Sequence, residues 1–198
     1  MRVEFEELQK LIKDEFEKLD EGGKLLLSVS CKHVLQTNIL LLQFLLNQKN
    51  LNGVYICVDI PQVHVERLLK KYHIRSENLK YIDAITGLST LEREVSEKII
   101  FIDNPFDVRA IIDAILKVQT DGVKRFIILD NMATLQFYSS EITNFFDIFI
   151  HSIEKFNMSY LIFAVDKSRH KVTYNTISKY GDSELEIKKE WLDLLKKL

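Results

Sequence analysis

Two rhythms of apolar residues alternate along the chain. From Val3 to Leu19, the residues Leu8, Leu11, Ile12, Phe16 and Leu19 recur at helical spacing with acids and lysines between them. That pattern predicts an amphipathic helix closed by Gly22 and Gly23. Next comes the near-continuous apolar run Lys24–Ser30, a buried strand, and then Asn38–Leu46, a buried helix. A second strand, Val54–Val58, is entered through a turn at Asn52-Gly53. The helix from Pro61 points Val65, Leu68, Leu69 and Tyr72 inward. A third strand runs Leu79–Ile85 and a fourth Ile99–Ile102.

The following helix has Asn104 as its cap, Pro105 in first position and Asp107 near the dipole, with Val108, Ile111, Ile112, Ile115 and Leu116 as its buried stripe. Arg125–Leu129 reads as a strand ending in Asp130. A helix over about Glu141–Phe156 then buries Ile142, Phe145, Phe146, Phe149, Ile150 and Ile153, and Tyr160–Val165 is the sixth strand. The polar stretch Asp166–Asp182 carries a weak extended signal at Val172–Ile177. A charged helix from about Ser183 would pack Leu185, Trp191, Leu194 and Leu195.

Strands rich in Val, Ile and Leu that alternate with helices predict an α/β fold, a mostly parallel central sheet covered on both faces. The 198 residues fit one domain: an N-terminal helix over 1–21, a core over 22–166, and a C-terminal extended segment and helix over 167–198. A formal charge of -2 gives no reason to expect broad attraction to nucleic acid. Cys31 and Cys57 form neither a disulfide framework nor a zinc spacing, and the five histidines show no ligand pattern, so no metal site is expected. The longest apolar run falls short of the ~20 residues that cross a bilayer. These features together lead us to expect a cytoplasmic protein with reduced thiols.

Between the first strand and its helix lies Cys31-Lys32-His33-Val34-Leu35-Gln36-Thr37, where a strand–loop–helix arrangement would hold a triphosphate. No glycine occurs between Gly23 and Gly53. The run Val29–Leu45 aligns without a gap to L-S-G-x-P-G-T-G-K-T-T-L-A-L-Q-F-L. Val54–Asp59 is similar to the second strand of the same pattern, ending in an acid, and Tyr81–Thr86 is similar to the third. Phe126–Leu135 is similar to a Walker B strand with its D-S-x-x-x-L continuation. On these motifs the chain resembles the RecA/KaiC-like ATPase superfamily, particularly its small archaeal single-domain members of unassigned role. The resemblance spans about residues 22–166 and implies a three-layer α/β/α RecA-like fold.

Every functional position of the phosphate loop departs from that pattern. Cys31 and Gln36 stand where the two glycines would be, Thr37 replaces the lysine, and Asn38 replaces the magnesium-binding hydroxyl. Glycines allow the positive-φ turn that brings amides to phosphate oxygens. A threonine supplies no charge for a γ-phosphate. Lys32 lies five residues too early to substitute and reads as an exposed lysine.

The resemblance places Asp130 at the magnesium-associated carboxylate, with a cap on the Asn131-Met132 turn as the structural reading. It places Asp59 at the water-activating glutamate, where a cap on the helix after Pro61 is the safer role. Cys31 and His33 invite a thiolate–imidazole proposal, but two residues apart on a turn gives no assurance of contact. Lys167-Ser168-Arg169 has the spacing of the family's trans-acting finger but follows the sixth strand too directly, and reads as a solvated loop.

The sequence therefore leads us to expect a non-catalytic RecA/KaiC-like module, with no cofactor and a vestigial site at Cys31, Gln36, Thr37, Asn38, Asp59 and Asp130. Its expected partner is another protein or a second copy of itself. The alternatives are a nucleotide sensor or weak ATPase that takes ATP and magnesium through a non-standard loop, and a nucleic-acid-binding protein. A thiol enzyme using Cys31 is a further, weaker option.

Overall fold

Seven strands form one sheet in the order β4-β3-β2-β5-β6-β1-β7: β1 (Gly23–Ser28), β2 (Asn52–Cys57), β3 (Leu79–Asp83), β4 (Ile99–Phe101), β5 (Arg125–Leu129), β6 (Met158–Val165) and β7 (Ser183–Glu186). The computed structural model describes residues 2–88, 96–119, 122–132 and 142–187. Every pairing among the described strands is parallel. All C-terminal strand ends therefore meet along one rim.

The alternation of side chains along each strand divides the core into two layers. Leu25 and Leu27 of β1, Tyr55 and Cys57 of β2, and Phe126 and Ile128 of β5 face α1 (Arg2–Phe16), α2 (Val34–Leu42) and α3 (Gln62–Lys71). Their neighbours Leu26, Ile56 and Ile127 face α4 (Val108–Val118), α5 (Ile142–Ile153) and α6 (Lys171–Ile177). The result is a three-layer α/β/α fold, as the sequence led us to expect. Leu8, Ile12 and Phe16 of α1 are buried, as are Val65 and Leu69 of α3 and the phenylalanine stripe of α5. No described helix is long and apolar enough to cross a membrane.

Several boundaries move for physical reasons. Asn52 and Gly53 do not form a turn; both lie in β2, where the ring of Phe126 on the adjacent strand sits against the Gly53 backbone. A Cβ there would meet ring atoms at under 3 Å, so only glycine fits. The cap of α4 is Asp107, whose carboxylate accepts from Ala110 N at 3.0 Å; Asn104 instead accepts from Phe106 N in the preceding turn. Leu116, expected in the buried stripe, is 47% exposed.

Two C-terminal expectations are overturned. The weakly extended 172–177 segment is helical, within α6, with Thr173 and Ile177 as its buried face. The helix expected from Ser183 is instead strand β7, because Ser-Glu-Leu-Glu alternates with period two and drops Leu185 into the core beside β1. Trp191, Leu194 and Leu195 lie outside the described residues, as do Ala133, Thr134 and Leu135 of the Walker B-like continuation.

Candidate functional site

The connector after β1 is shorter than its sequence suggested. Val29 N bonds Val165 O at 3.1 Å, a single 3-10 turn occupies Cys31–His33, and α2 begins at Val34, four residues before the predicted Asn38. Nothing in Val34-Leu35-Gln36-Thr37 resists a helix: the stretch holds no glycine or proline, and Val34 is buried. Gln36, Thr37 and Asn38 thus sit inside helical backbone. The Thr37 hydroxyl bonds back to His33 O at 2.9 Å and is fully buried. Asn38, also fully buried, turns its side-chain amide inward, donating to Tyr55 Oη at 3.0 Å and to the Asp130 carbonyl at 3.1 Å. Further on, α2 widens into a π turn over Gln43–Gln48, capped at Lys49, and Asn50 just beyond it has φ 51°. Lys32 is exposed on the 3-10 turn.

Along the rim of strand ends, three aspartates repeat one device: each holds backbone amides of the connector that follows a neighbouring strand. Asp83, at the end of β3, accepts from Gln62 N at 2.9 Å, the first amide of α3, and also from Ile85 N, Thr86 N and the Thr86 hydroxyl. Asp130, at the end of β5, accepts from Val58 N, Asp59 N and Ile60 N at 3.0, 3.3 and 3.1 Å. Asp166, at the end of β6, accepts from Cys31 N at 2.9 Å and from Ser168 N, Ser168 Oγ and Arg169 N. All three are buried. Each such hydrogen bond contributes about 0.5–3 kcal/mol, most where the carboxyl is ionised, so these contacts set the paths of the connectors.

Two roles read from the sequence are corrected here. Asp130 holds the β2–α3 connector rather than the Asn131-Met132 turn. Asp59 does not cap α3, a task that falls to Asp83; its carboxylate accepts from Asn131 Nδ2 at 2.8 Å. Asp83, Asn131 and Asp166 were not singled out as site residues. Their signal was the recurrence of an apolar strand ending in aspartate, which becomes informative only once the strands are known to end on one rim.

The electrostatics follow from burial. Desolvation pushes the Asp130 carboxyl up to about 7, helped by the charge of Asp59 and opposed by the three amides. Burial also raises the Tyr55 hydroxyl, with Asp130 adding to the effect. Burial works against the Asp166 carboxylate too, but its bonds to Ser168, Cys31 and Arg169 prevail and hold it below the ordinary range. The Cys31 thiol is pushed up to about 11, by burial first and then by the charge and hydrogen bond of Asp166. That is the reverse of what a nucleophilic thiolate needs. Lys167 is tied to Glu184 at 3.4 Å and lies 4.7 Å from the Tyr174 ring centroid. Among the described residues no group of three or more His, Cys, Asp or Glu is placed to hold a metal ion.

No known family's sequence profile matches the chain, and no curated protein matches it. Solved structures do. A KaiC-like protein from the hyperthermophilic archaeon Pyrococcus horikoshii superposes with a TM-score of 0.59 at 11% identity, covering 87% of this chain and 74% of that one. The fold is RecA/KaiC-like. An uncharacterised P. horikoshii protein, solved in complex with an unknown peptide, gives a TM-score of 0.67 at 12% identity over 90% of this chain and 82% of its own. A third protein from that organism gives 0.56 at 10% identity, with 89% and 88% covered. Identities this low establish the RecA/KaiC-like architecture alone.

Proposed function

We propose that this chain is a KaiC-like domain that binds a protein partner as a regulatory module and does not turn over ATP. The observation that carries this reading is the helical path of Val34–Asn38. Helical backbone commits the amides of Thr37 and Asn38 to carbonyls one turn back, which leaves them unavailable to phosphate oxygens. Thr37 brings no positive charge, and its hydroxyl is spent on His33 O. Asn38 points beneath the sheet rim, toward Tyr55 and away from solvent. Asp130, the position of the magnesium-associated carboxylate in the resemblance, already accepts three backbone amides. A partner-binding use of the scaffold is supported by the protein of the same fold that was solved with an unknown peptide.

Two measurements test the reading. Purified protein with magnesium and ATP should release no phosphate above the buffer rate, and calorimetric titration with ATP should give no heat at millimolar ligand. Sustained turnover abolished by Asp130→Ala would overturn the proposal. Saturable heat without turnover would replace it with a nucleotide sensor.

A further inference from the structure

The surface charges are unevenly compensated. Lys13, Lys18, Lys24, Lys124, Lys167 and Lys179 each pair with a carboxylate. Around the end of α3 cations gather instead. No acid stands between Glu66 and Glu77, a stretch that holds Arg67, Lys70, Lys71 and Arg75, all exposed. Lys70 lies 4.0 Å from Glu66, whereas among the described residues no carboxylate pairs with Arg67 or Arg75. Lys71 is laid over the Tyr72 ring, 4.7 Å from its centroid.

The fold brings a further cation to the same place. Arg75 N donates to Asn47 Oδ1 at 3.1 Å and the Arg75 guanidinium to Asn47 O at 3.2 Å, which clasps the end of α3 to the turn after α2. Lys49 and Asn50 are exposed on that turn. Asn50 and Arg75 line a cleft of about 30 Å³ with Leu46, Glu77 and Asn78. Cations at a helix C-terminus complement its dipole, which accounts for Lys70 and Lys71. It does not account for Arg67, a turn earlier, or for Lys49 on another element.

We propose that Arg67, Lys70, Arg75 and Lys49 form a docking face for an acidic segment of a partner protein. The proposal rests on the protein-binding reading above and names the chemistry of its partner. Arg67 and Lys70 are three residues apart on the side of α3 opposite the buried Val65 and Leu69. Carboxylates spaced along a peptide meet these cations in turn. Val63, one turn before Arg67 on the same face, is 37% exposed and offers the partner an apolar contact. That contact favours a peptide over a nucleic-acid strand, whose phosphates engage only the cations. The chain's formal charge of -2 weighs the same way, because it repels a long polyanion.

A second copy of this chain fits less well. The acids at the end of α1 are already paired, Glu15 with Lys18 and Glu17 with Lys13, and Asp83, Asp130 and Asp166 are buried. Exposed ion pairs are weak and screened by salt, so the dissociation constant is on the order of 100 μM and rises with ionic strength.

The test is fluorescence anisotropy of a labelled glutamate-rich peptide carrying one leucine, titrated with the full chain at low salt. The expected result is saturable binding, weakened about tenfold by Arg67→Glu and more modestly by Val63→Ser. Lys155→Glu, the same charge change on the exposed turn after α5, should leave binding unaltered. All three sites are exposed, so the fold survives, which circular dichroism checks. No anisotropy change at millimolar peptide overturns the proposal, as does equal weakening by Arg67→Glu and Lys155→Glu. A labelled RNA that binds more tightly than the peptide and ignores Val63→Ser also overturns it and gives the face to nucleic acid. A dimer in equilibrium sedimentation that Arg67→Glu dissolves overturns it in favour of a second copy. Phosphate release from ATP, read on the same samples, reports on the connector after β1, so a failure here is distinguishable from a failure of the non-catalytic reading.

Discussion

The side-chain amide of Asn38 donates to the hydroxyl of Tyr55 at 3.0 Å, with both residues fully buried, and the same amide donates to the Asp130 carbonyl at 3.1 Å. One side chain on α2 thus ties the helix to β2 and to the end of β5. In the resemblance this position carries a magnesium-binding hydroxyl; here it is an internal brace.

Asn38→Ala should therefore act on stability. It strands the Asp130 carbonyl and removes the donor to Tyr55, at a cost of about 2–4 kcal/mol, read as a lower urea midpoint at unchanged slope. Asn38→Thr, which restores a hydroxyl, should give no ATP turnover, because the backbone around it stays helical. Thr37→Lys buries a charge at a fully buried position and should unfold the protein before it creates an ATPase. Phosphate release by folded Thr37→Lys protein would contradict this account of the connector.

Asp130 should leave a signature in the pH dependence of stability. Its folded carboxyl titrates at about 7, against 3.8 ordinarily. Between those values the folded protein holds a proton that the unfolded chain has released. The stabilisation is therefore fully present below about pH 4 and is lost as pH rises through about 7. Thermal melts should show stability from this group declining over that window, by on the order of a few kcal/mol, and Asp130→Asn should flatten the decline. Asp166, held below the ordinary range, acts with opposite sign: its contribution disappears only as pH falls through its folded value. An unchanged slope in Asp130→Asn would show that the carboxyl is ionised throughout.

Cys31 should be a slow thiol. With its pKa near 11, the thiolate is scarce at pH 8, and alkylation by iodoacetamide followed by mass spectrometry should be slower than for a free cysteine peptide. Asp166→Asn removes the neighbouring negative charge and should accelerate the reaction severalfold. Because Asp166 also holds Cys31 N, the variant should melt earlier by about 1–3 kcal/mol. Cys31 alkylated faster than the peptide in unaltered protein would revive the thiol-enzyme alternative.

Much of the architecture was legible in the chain. Near-continuous strands such as Phe126–Leu129 can be buried only between two helical layers, and helices such as α3 showed their inner face in Val65 and Leu69. Strand β7 and helix α6 were misread because both are short: Ser183–Glu186 shows two glutamates around one buried leucine, and Lys171–Ile177 is rich in β-branched residues that favour an extended reading. The departures of Cys31, Gln36, Thr37 and Asn38 from the phosphate-loop pattern of the resemblance were visible as residue types. Their consequence was not, since a run without glycine can still form an open loop.

By itself the sequence determined the layered α/β fold, a first connector without glycine, and Thr37 where the resemblance would put a lysine, because hydrophobic period and residue chemistry are local properties. Only the tertiary structure decided that the connector closes into helix α2 and that Asp83, Asp130 and Asp166 hold their neighbours' amides. Those facts depend on which strands lie side by side: β6 between β1 and β5, β2 between β5 and β3. A carboxylate reaches an amide 135 positions away in sequence, as Asp166 reaches Cys31, only because parallel strands bring their ends to a common rim.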